Sequence, residues 1–288
     1  EGTAMQDIPI IDTHLHLCNR DKFRYRWVES IPGLSKSYFL EDYNKATATL
    51  NIAGMIFMEY VADSWEQSVE EANWVYKLSK SDPRIKGIVA RAPLQMGESC
   101  RGYLERLKVN PLIKGIRQVL QSEPLDFCLK PKFIEGIRLL SEYNWFGHIC
   151  ITHKHMPFVN KLIEQCPEVK FVLDHMGKPN IKDKVLKPWK TDLKALSRFP
   201  DTVCKISGMI TEADHERWVR KDLKPYIDVA IVCFGFDRLM YGGDWPVCTL
   251  AGTYAEWTAA LDWALKNFSN DDRKKLLHDN AIRLYRLD

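Results

Sequence analysis

With 288 residues, 45% of them hydrophobic and 11% aromatic, the chain has ample apolar mass for a large buried core. Its 41 basic and 38 acidic side chains are interspersed and leave a formal net charge of +3, which excludes the concentrated basic face of a nucleic-acid or anionic-membrane binder. No stretch approaches the apolar length needed to span a bilayer, and the start at Glu1 lacks a signal peptide's hydrophobic region.

In chain order, short β-rich runs alternate with amphipathic stretches. Strands are predicted at 8–14, 53–60, 85–94, 113–120, 148–152, 170–174, 202–207 and 238–242. Helices are predicted at 39–50, 65–81, 99–109, 131–143, 156–165, 188–198, 215–234 and 254–267, with one more at 271–284. Eight strand–helix units in this length predict an α/β fold, a (β/α)8 TIM barrel forming a single domain over residues 1–288. An open doubly wound sheet would want a glycine-rich turn after the first strand, where this chain has His14-Leu15-His16-Leu17. The longest irregular segment, 17–38, holds Arg24, Tyr25, Arg26 and Trp27 and reads as a lid or binding loop. The run 178–190, basic but interrupted by Asp183 and prolines, reads as a solvated loop over the rim.

In a parallel barrel, functional side chains project from the carboxyl ends of the strands, and this filters the polar residues. His14 and His16 end the first strand one residue apart, so they share a face and can hold a metal or a polarised oxygen. Asp244 follows the last strand, His175 the sixth, and His153 and His155 the fifth; Arg117 ends the fourth. His148 is expected at the opposite rim, and His215 and His278 in helices. Blander roles stand beside the functional ones. Asp244 could cap the Trp245-Pro246 turn, Arg117 could pair with a barrel carboxylate, His153 could only buttress His155, and Trp27 and Trp245 could simply pack. The eight cysteines form no CxxC pair and are expected as free, buried thiols in a reducing, cytoplasmic protein.

The motifs Ile11-Asp12-Thr13-His14-Leu15-His16, Tyr25-Arg26-Trp27, Lys114-Gly115-Ile116-Arg117, His155-Met156-Pro157, Asp174-His175-Met176-Gly177-Lys178-Pro179, Lys205-Ile206-Ser207-Gly208 and Gly242-Gly243-Asp244-Trp245-Pro246 occur in this order. Together they resemble the amidohydrolase superfamily, and within it the amidohydrolase 2 group of metal-dependent hydrolases that includes L-fuconolactonase and L-rhamnonolactonase. The resemblance implies a hydrolase that opens a sugar-acid lactone of the fucono-, rhamnono- or galactonolactone type, with Asp244, His175, His14 and His16 as catalytic residues. It further implies substrate contacts from Arg117, and the residues themselves suggest His155, Trp27, Arg26 and Trp245 as others. One divalent ion, zinc, at His14, His16 and Asp244 is an expected cofactor, with a metal-free reaction as the alternative. Two metals are not expected, because Lys114, three residues from Arg117, should point away from the barrel axis. Rival readings are a decarboxylase of an aromatic or muconate-type acid on the same fold and a non-catalytic carbohydrate-binding protein. The expected partner is a small-molecule lactone, with no nucleic acid and no membrane; a homo-oligomer is compatible with the sequence.

Overall fold

Strands built almost wholly of apolar and small residues, such as Ile52–Met58 (IAGMIFM), cannot expose either face and must be covered on both sides. The computed structural model, which describes residues 2–288 and so all of the expected domain but Glu1, answers this with a barrel. Its strands are β1 (Ile10–Leu15), β2 (Ile52–Met58), β3 (Ile85–Ala90), β4 (Ile113–Arg117), β5 (Phe146–Ile149), β6 (Phe171–Leu173), β7 (Val203–Ile206) and β8 (Leu239–Tyr241). They lie in sequence order in one eight-stranded sheet, each parallel to the next. The sheet closes where the chain leaves β8: the Thr13 hydroxyl donates to Tyr241 O (2.7 Å), Asp244 N–H to His14 O (2.9 Å) and His16 N–H to Trp245 O (2.9 Å). This is the expected (β/α)8 architecture, with helices Leu40–Ala46, Trp65–Ser79, Arg101–Lys108, Pro131–Tyr143, Met156–Gln165, Trp189–Ser197, Arg220–Phe234 and Tyr254–Leu265 outside it.

Two cores result. The larger lies between strands and helices. A smaller one fills the inside of the barrel with Ile11, Ile56, Met58, Val89, Phe146, Val172, Val203 and Met240, and the C-terminal helix Asn280–Tyr285 adds Ala281 and Tyr285 to it. The other half of the barrel interior is polar, and it is there that the chemistry sits.

Some boundaries differ from the expected ones for local reasons. β3 stops at Ala90 rather than 94, ahead of Pro93, which has no N–H for a ladder. His148 is inside the barrel and not at the opposite rim, because β5 starts two residues early, at Phe146, and puts His148 in register with Arg117 and Val172. His215 lies in a turn held by the Asp214 carboxylate, which accepts from the N–H groups of Glu216 and Arg217, and the helix begins only at Arg220. All eight cysteines are free; Cys233 alone is partly exposed. Among the described residues no helix is long and apolar enough to cross a membrane.

Asp12 ties the closure together. Its Oδ1 accepts from the N–H groups of His14 (3.0 Å) and Gly243 (2.8 Å), and its Oδ2 from the hydroxyls of Tyr43 and Tyr254 (both 2.8 Å), so one buried carboxylate joins β1, the β8 exit and two helices. Asp12→Ala is expected to lower unfolding stability by about 3–5 kcal/mol in urea denaturation, with Asp12→Asn between it and the parent; an unchanged midpoint would show that the closure does not depend on this residue.

Candidate active site

Three imidazoles converge on one carboxylate oxygen. The Nε2 atoms of His16, His14 and His175 lie 3.4, 3.5 and 3.9 Å from Asp244 Oδ1. His14 and His16 share a face as their spacing requires, with ring centroids 4.9 Å apart. His16 Nδ1 lies 2.9 Å from Met58 O, which can only accept, so Nδ1 carries the proton and Nε2 is the atom turned to Asp244. His175 Nδ1 contacts Ser207 Oγ at 2.8 Å. The group opens onto a cavity of about 270 Å³ that is also lined by Trp27, Tyr60, Val61, Arg117, Gln121, Cys150, Lys178, Thr211 and Glu212. A larger hollow of about 390 Å³ between Trp145, Arg238 and Arg283 gathers no comparable set of imidazoles.

Backbone strain is concentrated here. Val61, His175, Lys178 and Asp244, all lining the cavity, have φ of 53°, 56°, 54° and 55°, a region that costs a residue with a Cβ roughly 1–2 kcal/mol. The left-handed turn from His175 to Lys178 is what swings both side chains into one cavity. Two glycines make room: a Cβ at Gly208 would come within 2.5 Å of His175 Nδ1, and one at Gly242 within 2.8 Å of the His14 Cβ.

Beneath the imidazoles lies a layer of buried charge. Asp174 accepts from Arg117 Nη1 (3.2 Å), lies 3.2 Å from Lys205 Nζ and takes His148 Nδ1 at 3.1 Å. Lys205 also donates to Thr13 O (2.9 Å) and approaches His14 Nδ1 (3.2 Å). Glu59 Oε1 takes the Arg117 Nε–H at 2.9 Å. Burial alone would raise the Asp174 carboxyl, but Lys205, His148 and Arg117 outweigh it and hold Asp174 well below the usual range. Burial and the Lys205 charge hold His14 far below its ordinary value, and burial pushes His175 and His148 down to about 4. For Asp244, burial is outweighed by the neighbouring imidazoles of His175 and His16, which lower it. At neutral pH the centre is thus an ionised carboxylate ringed by imidazoles, with His14 and His175 neutral.

Not every expected contact is in the cavity. His155 turns away: its Nδ1 meets Thr152 Oγ1 (2.9 Å) and its Nε2 donates to Glu123 O (3.1 Å), so both ring nitrogens brace loops. Arg26 points to solvent, 71% exposed, and pairs with Asp63 at 2.9 Å. Trp245 packs edge-on against Tyr38 and Tyr43. Trp27 does line the cavity, its Nε1–H held by Tyr60 O (2.8 Å). Arg117 lines it too, though its guanidinium is engaged by Glu59 and Asp174. His153 buttresses Lys178 rather than His155, donating from Nδ1 to Lys178 O at 3.0 Å. Glu59 and Tyr60 lie outside the sequence motifs, and Asp174 and Lys205 stand within them with no role assigned. Glu59 and Lys205 are charged residues in or beside apolar strands, a signal the carboxyl-end filter could have used.

The donor atoms of His14, His16 and Asp244 lie within 4.8 Å of one another, and His14 Nε2 is buried without a hydrogen-bond partner. Two imidazoles and a carboxylate suit a zinc-like divalent ion, so these residues fit the ion expected of them from the sequence.

The neutral, buried His148 and His175 have a thermodynamic consequence. The unfolded chain protonates these rings below about 6.5, the folded chain only near 4, so stability must fall as pH drops through that window. The thermal midpoint is expected to decline steadily between those two pH values, less steeply in His148→Asn; a flat profile would contradict neutral buried rings.

An amidohydrolase family matches residues 11–287. An L-fucono-1,5-lactonase of Burkholderia multivorans is 27% identical over 290 residues, spanning 96% of each chain. An L-rhamnono-gamma-lactonase of Scheffersomyces stipitis is 20% identical over 337 residues, spanning 98% of this chain and 100% of its own. The crystal structure of an amidohydrolase from Burkholderia multivorans with bound zinc superposes with a TM-score of 0.86 at 25% identity, over 97% of this chain and 99% of that one. The family match runs from β1 through the C-terminal helix and takes in all four residues of the convergent centre, and the chain belongs to the amidohydrolase family.

Proposed function

We propose that this protein is a lactonase that opens a sugar-acid lactone, of the kind named for its fucono- and rhamnonolactonase relatives. The observation that carries the reading is the convergence of three imidazole Nε2 atoms on Asp244 Oδ1 at the wall of a cavity sized for a small ring. Asp244, ionised at neutral pH, takes a proton from water, and that water attacks the ester carbonyl. With the Ser207 hydroxyl donating to Nδ1, neutral His175 carries its proton on Nε2 and presents it to the carbonyl oxygen as negative charge develops there. His16 turns its unprotonated Nε2 to Asp244 at the cavity wall, with His14 buried beside it. Asp244 then returns its proton to the departing ring alkoxide. A divalent ion held by His14, His16 and Asp244 would supply Lewis acidity at the carbonyl and lower the pKa of water, which suits a carboxylate that is by itself a weak base.

A proton-release assay of the purified protein against 1,4- and 1,5-aldonolactones and dicarboxylate lactones tests this directly. Turnover of one stereochemical subset is expected; silence across the panel with carbon dioxide release from an aromatic acid would establish the decarboxylase instead. Asp244→Asn should lower kcat roughly 10²- to 10⁴-fold, and wild-type turnover in that variant would remove Asp244 from the mechanism. Metal analysis should find one zinc per chain in the parent and none in His16→Ala; a metal-free parent that turns over at full rate would assign carbonyl activation to the imidazoles alone.

A further inference from the structure

Among the described residues, two charged side chains on the cavity wall have no ion-pair partner within 4 Å. Of the other charged lining residues, Arg117 pairs with Glu59 and Asp174, and Asp244 has the His14 and His16 Nε2 atoms within 3.5 Å. Lys178 and Glu212 are different. The Lys178 ammonium donates to Gln121 Oε1, a neutral amide that fixes its position without cancelling its charge. Its backbone is held in the left-handed region (φ 54°) by its own N–H on His175 O (2.8 Å) and by His153 on its carbonyl, so a strained turn aims this lysine into the site. The Glu212 carboxylate is half-buried at the same cavity, burial raises its pKa, and among the described residues it has neither a salt bridge nor a hydrogen bond. The two groups do not pair with each other within 4 Å, although opposite charges on mobile side chains gain by doing so.

A half-buried, unpaired carboxylate beside an unpaired ammonium is an arrangement that a ligand completes. A substrate carboxylate would meet Lys178 but also face Glu212 and Asp244. A hydroxyl does better, because it accepts from an ammonium and donates to a carboxylate. We propose that Lys178 and Glu212 are specificity-determining residues that bind ring hydroxyls, so that the cavity selects an uncharged, polyhydroxylated ring over a carboxylated one. The proposal rests on the lactonase reading for its reaction, but not for its binding chemistry.

The test is the ratio of kcat/KM for a hydroxylated aldono-1,5-lactone to that for unsubstituted δ-valerolactone. In Glu212→Gln and in Lys178→Met the ratio should fall roughly 10- to 100-fold, the worth of one hydrogen bond to a charged group, with the thermal midpoint held. An equal fall on both substrates, or no fall, would overturn the proposal. If the parent opens neither lactone, the lactonase reading fails separately, and calorimetric titration with a neutral pyranose sugar decides the clamp: binding by the parent that weakens in both variants supports it, and binding that is absent or unaffected overturns it.

Discussion

The structure depends on keeping the Asp174 carboxylate ionised where water does not reach. It is wholly buried inside the barrel, and removing a charge of that size from water costs several kcal/mol that only close partners return. Arg117 from β4, His148 from β5 and Lys205 from β7 supply them, and because Arg117 and Lys205 bring two positive charges to one carboxylate, Glu59 beyond β2 supplies the second negative charge through Arg117. With Asp174 itself following β6, five sectors of the barrel are thereby committed to one arrangement. Below this layer the interior is apolar and closed by Ala281 and Tyr285; above it is the cavity.

The ionic layer also sets the electrostatics of the imidazoles above it. The Lys205 ammonium beside His14, added to burial, keeps that ring neutral, and burial does the same for His175. Neutral rings can coordinate an ion or present N–H donors, whereas imidazolium rings would lock onto Asp244 as ion pairs and block it. The charge layer therefore does chemistry at one remove, without a member that must touch substrate.

Loop geometry converts strand ends into a site. His175 and His155 both follow strands by a few residues, yet one faces Asp244 and the other braces Glu123 and Thr152. The difference is the backbone: His175 occupies the left-handed region and His155 the right-handed one. Such strain persists because surrounding contacts outweigh it, here the empty space at Gly208, the Ser207 hydroxyl and the His153 bond to Lys178.

Much of this was legible in the sequence. Alternation of apolar runs with amphipathic stretches determined the barrel, because burial of both strand faces and one helix face imposes local periods. The two-residue period put His14 and His16 on one face, and the strand-end position marked Asp244 and His175. What only the tertiary structure decided was pairing. That Arg117 spends its guanidinium on Glu59 and Asp174, that His148 reaches Asp174 from inside the barrel, and that Arg26, His155 and Trp245 face elsewhere depend on residues distant in sequence and on loop dihedrals. Periodicity is a property of a segment and can be read from it, whereas the partner of a buried charge is whichever opposite charge the closed barrel brings within reach.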